Sequence, residues 1–254
     1  LLFFFAAKLL GARGDAGGML PHLLSSLFYS HNWIHGGPST INAVAWSLEI
    51  EIQFYILVPL LVRVFAIRSA MMRRMVLTAA IAALSVAATI AMKHDPWIKM
   101  TLAGHLQYFL TGFLLTDLFL AGSLERESGP SWDLSAVFLT VISGIGLIAW
   151  NSSLAIAMFA PLALALITVA AFKGRITSRI FSSLTFTAIG GMCYSIYLVH
   201  NYALALAGQK VQPLRQGQPF EVRFAAGTLT AVIPVMVASI ILYKAVEQPC
   251  MNPN

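Results

Sequence analysis

Charge is what this sequence has least of: Asp, Glu, Lys and Arg make up 10% of its 254 residues, where a soluble domain carries roughly a quarter. A chain with so few ionic groups cannot dress its surface for water, which excludes an ordinary soluble globular fold. Cysteine is nearly missing as well. The two present, Cys193 and Cys250, lie in an apolar run and near the chain end with no ligand spacing between them, so neither a disulfide framework nor a thiolate metal site is expected. No metal and no bound cofactor are read from the sequence. The chain also starts without methionine and without the charged lead-in of a signal peptide, at Leu1 inside the apolar run Leu1 to Leu10. The expectation is that spans precede it in the whole protein.

Apolar residues fill the space that charge leaves. They make up 58% of the sequence, and the mean hydropathy is +0.79. The net charge of +6 is spread over short loops between apolar runs, with no patch of interleaved aromatics, so it points to membrane topology and not to nucleic acid.

The runs are long enough to cross a bilayer, since a helix rising 1.5 Å per residue needs about 20 residues to do so. They are read as the remnant Leu1 to Leu10, then Ala43 to Val62, Met75 to Met92, Leu102 to Ala121, Leu134 to Trp150, Ser153 to Phe172, Ser183 to Ala207 and Phe224 to Val246. The expected architecture is therefore an all-α, multi-pass bundle of about seven full spans plus a remnant, in one domain over residues 1–254. Pro59, Pro161 and Pro234 fall inside spans, where kinks are expected. Loops alternate sides, which groups Arg63, Arg68, Arg73 and Arg74 with Arg126, Lys173, Arg175, Arg179, Lys244 and the carboxyl terminus. The positive-inside rule makes that side cytoplasmic. Lys8, Arg13, Lys93, Lys99, Lys210, Arg215 and Arg223 on the other side keep the asymmetry small.

Four segments carry a recognisable pattern, one of them faintly. The first is Trp46-Ser47-Leu48-Glu49-Ile50-Glu51-Ile52-Gln53-Phe54-Tyr55 with Pro59-Leu60-Leu61 behind it. It resembles the W-S-L-x-x-E-x-x-F-Y…P-L-L signature of the acyltransferase 3 family, departing at Ile52, where many members carry a second acid. The run from Gly191 through Cys193, Tyr194, Ser195 and Tyr197 to His200 is similar to that family's G-x-x-S-Y-x-x-Y-L-x-H, with Cys193 in place of the usual serine. Glu247-Gln248-Pro249 resembles its E-x-P ending, and Tyr108 to Gly112 is a fainter echo of an F-x-x-G element.

The resemblance implies a ten-span membrane acyltransferase of which this chain holds the third to tenth spans. It implies transfer of an acyl group, acetyl foremost, from acyl-coenzyme A to a hydroxyl of a cell-surface carbohydrate or glycolipid. It further implies that a histidine and arginine in the first span, and an arginine pair before the third, lie upstream of Leu1.

An acid inside a membrane helix costs about 2.5 to 3.5 kcal/mol on insertion scales, so it points to a partner or a wet cavity. Glu51 is the first candidate, and i,i+4 spacing aligns it with Ser47 and Tyr55. Its alternatives are orienting a base or an acceptor hydroxyl, or serving as a structural carboxylate. Glu49, which shares a face with Trp46 and Gln53, reads as interfacial. His200 is expected at a depth similar to Glu51, with Tyr194 and Tyr197 on its helix; it is read as a structural or acceptor-site group, with proton transfer as the alternative. Trp46, Ser47, Tyr55, Tyr194 and Tyr197 complete the candidate substrate contacts. Asp117 reads as neutralised or snorkelling, the arginine loop as a headgroup anchor or a phosphate contact, and Glu247 with Lys244 as an interfacial pair. A transporter or flippase and a non-catalytic scaffold are the rival readings, because polar groups at membrane depth also line translocation paths.

Overall fold

A computed structural model describes residues 6, 16–124, 129–148, 154–211, 217 and 219–251. Apart from Ala6, the Leu1 to Leu10 run lies outside the described residues, as do Arg13, Arg126, Arg215 and Asn254 from the topology argument. Among the described residues every regular element is helical. The chain divides into two compact units, Leu1–Phe181 and Ser182–Asn254.

The first unit begins with α1 (Ala16–Leu27) and the single-turn α2 (His31–His35). Between them Tyr29 adopts a left-handed conformation, φ 52°, which reverses the chain and lays α2 back on α1. Gly36 ends α2 at φ 62°, its N–H bonded to the Asn32 carbonyl; a left-handed C-terminal cap of this kind favours glycine. A 3-10 turn, Ala43–Ala45, leads into α3 (Trp46–Leu61), and a second, Val62–Ala66, tightens its end. Helix α4 (Ala70–His94) starts at Ser69, whose hydroxyl accepts the Met72 N–H at 3.3 Å, a serine N-cap. Two 3-10 turns, Pro96–Met100 and Leu102–Gly104, connect it to α5 (Leu106–Leu120).

Helices α6 (Pro130–Ile148), α7 (Leu154–Lys173) and α8 (Arg175–Phe181) complete the unit. Helix α7 packs against α4, α5 and α6. The core between α3 and α5 is built on Ile50, Phe54 and Leu102, with Phe109 and Phe113 against them. Phe54 stacks on Phe109 with ring centres 4.0 Å apart.

The turn from α7 to α8 is locked by Asp133 at the start of α6. Its carboxylate accepts the backbone N–H groups of Arg175, Ile176 and Thr177 at 2.9–3.1 Å, and the Thr177 hydroxyl at 2.9 Å. A negative charge at the start of a helix meets the unpaired N–H groups there. Gly174 sits so close that a Cβ would collide with Asp133 Oδ1 and Thr177 Oγ1.

The second unit holds α9 (Leu184–Gly191), α10 (Cys193–Val211) and α11 (Phe220–Leu242), followed by a π-helical turn, Tyr243–Glu247, and α12 (Gln248–Met251). Helices α10 and α11 pack side by side. The expected single span Ser183 to Ala207 is thus two helices, parted at Met192. The pair Gly190-Gly191 is poor helix former, and the Met192 N–H is shared between the Ala188 and Ile189 carbonyls at 3.2 and 3.1 Å.

The expected count of seven spans is not confirmed. Among the described residues two helices are long and apolar enough to cross a membrane, Ala70–His94 and Phe220–Met251. A third is added if Phe159–Lys173 and Arg175–Phe181, bent by 92°, form one span. Helices α3 and α5, with 16 and 15 residues, fall short because 3-10 turns replace their expected ends. In Phe220–Met251 only 6% of the most apolar window is buried, an exposure that lipid accepts and water does not.

Candidate functional site

In the first unit the motif that starts at Trp46 is held by Asn32, which is fully buried. Its side-chain amide donates to the Trp46 carbonyl and to the Met100 carbonyl, both at 3.0 Å, so one residue ties α2 to α3 and to the turn before α5. Its backbone N–H donates to Glu49 Oε2 at 2.8 Å. Glu49 is 2% exposed. The interfacial reading of Glu49 is therefore corrected: α2 ends the chain reversal directly over this carboxylate and covers it.

That contact sets the rotation of α3. Glu49, Ile50 and Phe54 face inward, and the buried amide atoms of Gln53 lie one turn on from Glu49 without a hydrogen-bond partner among the described residues. Ser47 and Glu51 are half-buried, and Tyr55 is 56% exposed. The Ser47, Glu51, Tyr55 stripe is thus the flank of the helix, and the inward polar face belongs to Glu49 and Gln53. Trp46 is half-buried with its ring 5.7 Å from that of His105.

Beside Asn32 three imidazoles gather. His22 comes from α1, and His31 and His35 bracket α2, their ring centres 4.2–5.1 Å apart. Burial pushes the His31 imidazole below its ordinary pKa, opposed by the hydrogen bond from Nδ1 to the Gly37 carbonyl and reinforced by the neighbouring His35 and His22. The sequence reading passed over this trio. The signal available was H-x3-H, which puts two imidazoles on one face of a helix.

In the second unit His200 Nδ1 lies 2.7 Å from the Tyr197 carbonyl. A carbonyl only accepts, so Nδ1 donates, and in the neutral ring the lone pair is on Nε2. The Tyr197 ring lies 5.7 Å from that imidazole, and Tyr194 is 38% exposed on the same helix. Further toward the start of α10, buried Ser195 donates from Oγ to Glu247 Oε2 at 2.6 Å. Glu247 therefore serves α10, which replaces the reading of it as a partner for Lys244. The π-helical turn that ends at Glu247 inserts an extra residue into the helix, as such turns do at functional positions.

A family model described as an acyltransferase domain matches residues 1–244, nearly the whole chain. The chain belongs to the acyltransferase 3 family. No curated protein and no solved structure matches it.

For this acyltransferase family member the motif residues fall in two groups. Trp46, Ser47, Glu51 and Tyr55 lie on α3 of the first unit, and Tyr194, Tyr197 and His200 on α10 of the second. Within the second unit the fold joins two motif segments, since Ser195 of the G-x-x-S-like run bonds Glu247 of E-x-P. Asp117 is 2% exposed and paired with both Arg73 and Arg74, so it is neutralised, as read from the sequence. The pairing commits these two arginines of the loop to α5. An apolar cavity of about 230 Å³ opens between α4, α5 and α7, lined by Ile81, Thr111, Leu114, Phe159 and Leu162 among others; none of the candidate site residues borders it.

Proposed function

We propose that the protein is a membrane O-acyltransferase that moves an acyl group, acetyl foremost, from acyl-coenzyme A to a hydroxyl of a cell-surface carbohydrate or glycolipid. The family match over residues 1–244 carries this reading. The donor is a co-substrate and no resident cofactor is required. The enzyme sits in the inner membrane with its carboxyl terminus in the cytoplasm, so that coenzyme A arrives from the cytoplasmic side and the acceptor from the other.

The chemistry needs a group that takes the proton of the acceptor hydroxyl and donors that stabilise the oxyanion as the thioester carbonyl is attacked. The new ester bond forms, the thioester carbon–sulfur bond breaks, and the coenzyme A thiolate leaves with the electron pair. In this chain the Nδ1 bond to Tyr197 leaves Nε2 as the acceptor nitrogen of the neutral His200 ring, suited to accept a hydrogen bond from that hydroxyl. Glu51, half-buried on the flank of α3, is suited to orient a hydroxyl or a cationic partner. Trp46, Ser47, Tyr55, Tyr194 and Tyr197 are the accompanying substrate contacts.

The test is the whole protein in liposomes, supplied with acetyl-coenzyme A labelled in the acetyl group and a lipid-linked oligosaccharide. Label transferred to the acceptor supports the proposal. Acceptor crossing the bilayer without acquiring label supports a flippase instead and overturns it, as does binding of neither substrate.

A further inference from the structure

We propose that His22, His31 and His35 form a binding site for one divalent transition-metal ion of the zinc type, which clamps α1 to α2 beside the Trp46 motif.

One ligand atom from each of the three residues lies within 4.8 Å of the other two. The closest pair, His22 Nδ1 and His31 Nε2, is 2.9 Å apart. Zinc–imidazole bonds of about 2.0–2.1 Å separate two ligand nitrogens by about 2.9 Å across a right angle and about 3.3 Å across a tetrahedral one. The closest pair needs to move by only tenths of an ångström, and the remaining pairs, within 4.8 Å, close by at most about 1.5 Å to accept the ion.

The surrounding hydrogen bonds prepare the lone pairs. His31 Nδ1 donates to the Gly37 carbonyl at 3.0 Å, so in the neutral ring Nε2 accepts the 2.9 Å hydrogen bond from His22 Nδ1, and the ion would displace that one proton. The Ser25 hydroxyl has a single proton and gives it to the Pro21 carbonyl at 2.8 Å. Its oxygen, 3.0 Å from His35 Nε2, therefore accepts from that nitrogen, and His35 Nδ1 keeps its lone pair. Outer hydrogen bonds that fix tautomer and ring direction in this way are the usual support of metal-binding histidines.

The donor set selects the ion. Three neutral imidazoles suit zinc and its transition-metal neighbours, whereas magnesium and calcium call for oxygen ligands. Three protein ligands also leave a coordination position for water. His31 is 1% exposed and His35 is exposed, so the ion would sit at the boundary between core and solvent. The residue after His31 is Asn32, which holds both Glu49 and Trp46. A metal on α2 would thereby stiffen the support of the family motif. This inference goes beyond acyl transfer and does not depend on it.

The experiment uses the untagged full chain in detergent, freed of metal with a chelator and titrated with Co²⁺ as a spectroscopic probe and with Zn²⁺ in competition. Expected are one ion per chain, Co²⁺ d–d absorption bands with nitrogen ligation, and a higher melting temperature with Zn²⁺. His35→Ala, at an exposed position, should weaken binding on the order of 100-fold and abolish the thermal shift between metal-free and Zn²⁺-loaded protein. His94→Ala, at an exposed histidine outside the trio, should bind like wild type. No binding at micromolar metal, or equal binding by wild type and the His22→Ala/His35→Ala double variant, overturns the proposal and leaves the trio a stack of hydrogen-bonded imidazoles.

Discussion

The Ser195 hydroxyl donates to the Glu247 carboxylate at 2.6 Å across 52 residues of sequence, and it joins the start of α10 to the π-helical turn after α11. Ser195 is 1% exposed. A hydrogen bond to a charged group contributes about 1.5–3 kcal/mol, while Glu247, half-buried, can recover part of that from water. Ser195→Ala is expected to cost about 1–2 kcal/mol, and Glu247→Gln, which keeps an acceptor, less than about 1 kcal/mol. Thermal unfolding of the whole protein in detergent checks the order. Equal melting temperatures for wild type and Ser195→Ala would make the bond incidental.

Glu49 and Asn32 make a sharper case because both are buried. Glu49→Ala leaves the Asn32 N–H without its carboxylate partner, at a cost of about 1–3 kcal/mol for an unsatisfied buried group. Asn32→Ala strands the Trp46 and Met100 carbonyls and should destabilise at least as much. If the two substitutions combined cost clearly less than their sum, the hub is cooperative; full additivity would mean that the two contacts act independently.

How much of this was legible in the sequence depends on where the deciding contact lies. Helices α4 and α11 were visible as Met75 to Met92 and Phe224 to Val246, because continuous apolar composition is a local property. The shortened α3 was not, since the apolar composition runs on unchanged through the 3-10 turns on either side of it. Glu51 was favoured over Glu49 by the motif and by i,i+4 spacing, yet which acid turns inward was decided by Asn32, 17 residues upstream. The His22, His31, His35 trio lies before the first full span, where attention to membrane runs does not reach, and it forms only through the chain reversal at Tyr29. Conversely, the neutralisation of Asp117 could be anticipated, because an acid in an apolar helix must find a partner.

That partner is double. Asp117 pairs with Arg73 and with Arg74, whose side chains are 16% and 32% exposed. Asp117→Asn removes the charge that holds two guanidinium groups together and should cost about 3–5 kcal/mol, the range for breaking a buried pair from one side. Arg74→Gln leaves Arg73 in place and should cost less than about 1 kcal/mol. Melting temperatures of the two variants separate these outcomes, and a mild Asp117→Asn would show that the pair is solvated.

Asp133 supplies a pH dependence. The N–H of Thr177 foremost, then those of Ile176 and Arg175 with the Thr177 hydroxyl, hold its carboxyl below the usual range against the opposing effect of desolvation. A carboxyl lowered in the folded state stabilises fully above its unfolded value, about 3.9, and that contribution is lost as pH falls through the lower folded value. Protection factors of the amides at Arg175, Ile176 and Thr177, which remove the intrinsic pH dependence of exchange, should therefore stay level from pH 7 to about 4.5 and fall only below about pH 4. In Asp133→Asn the same amides should be less protected at neutral pH, with no acid transition, so that the two proteins converge in acid. Gly174→Ala, which drives a Cβ into this contact, should mimic Asp133→Asn at neutral pH.

The candidate site makes the last prediction. His200 is oriented by the bond from Nδ1 to the Tyr197 carbonyl, which makes Nε2 the acceptor of the neutral ring, and Glu51 stands half-buried on α3. If His200 accepts the hydroxyl proton, His200→Ala should lower acyl transfer by about 10²–10⁴-fold, the usual worth of a positioned base, with little change in donor KM. A residue that only positions the acceptor would instead raise the acceptor KM and leave kcat within about tenfold. Glu51→Gln keeps the shape and hydrogen-bonding capacity of the side chain while removing its charge, so a loss of rate there reports the charge itself. Both rates must be measured at matched membrane abundance and with folding confirmed, since either group sits where a structural defect could lower activity indirectly. Wild-type kinetics in both variants would remove His200 and Glu51 from the catalytic account and move attention to Glu49 and Gln53, the polar groups that α3 turns inward.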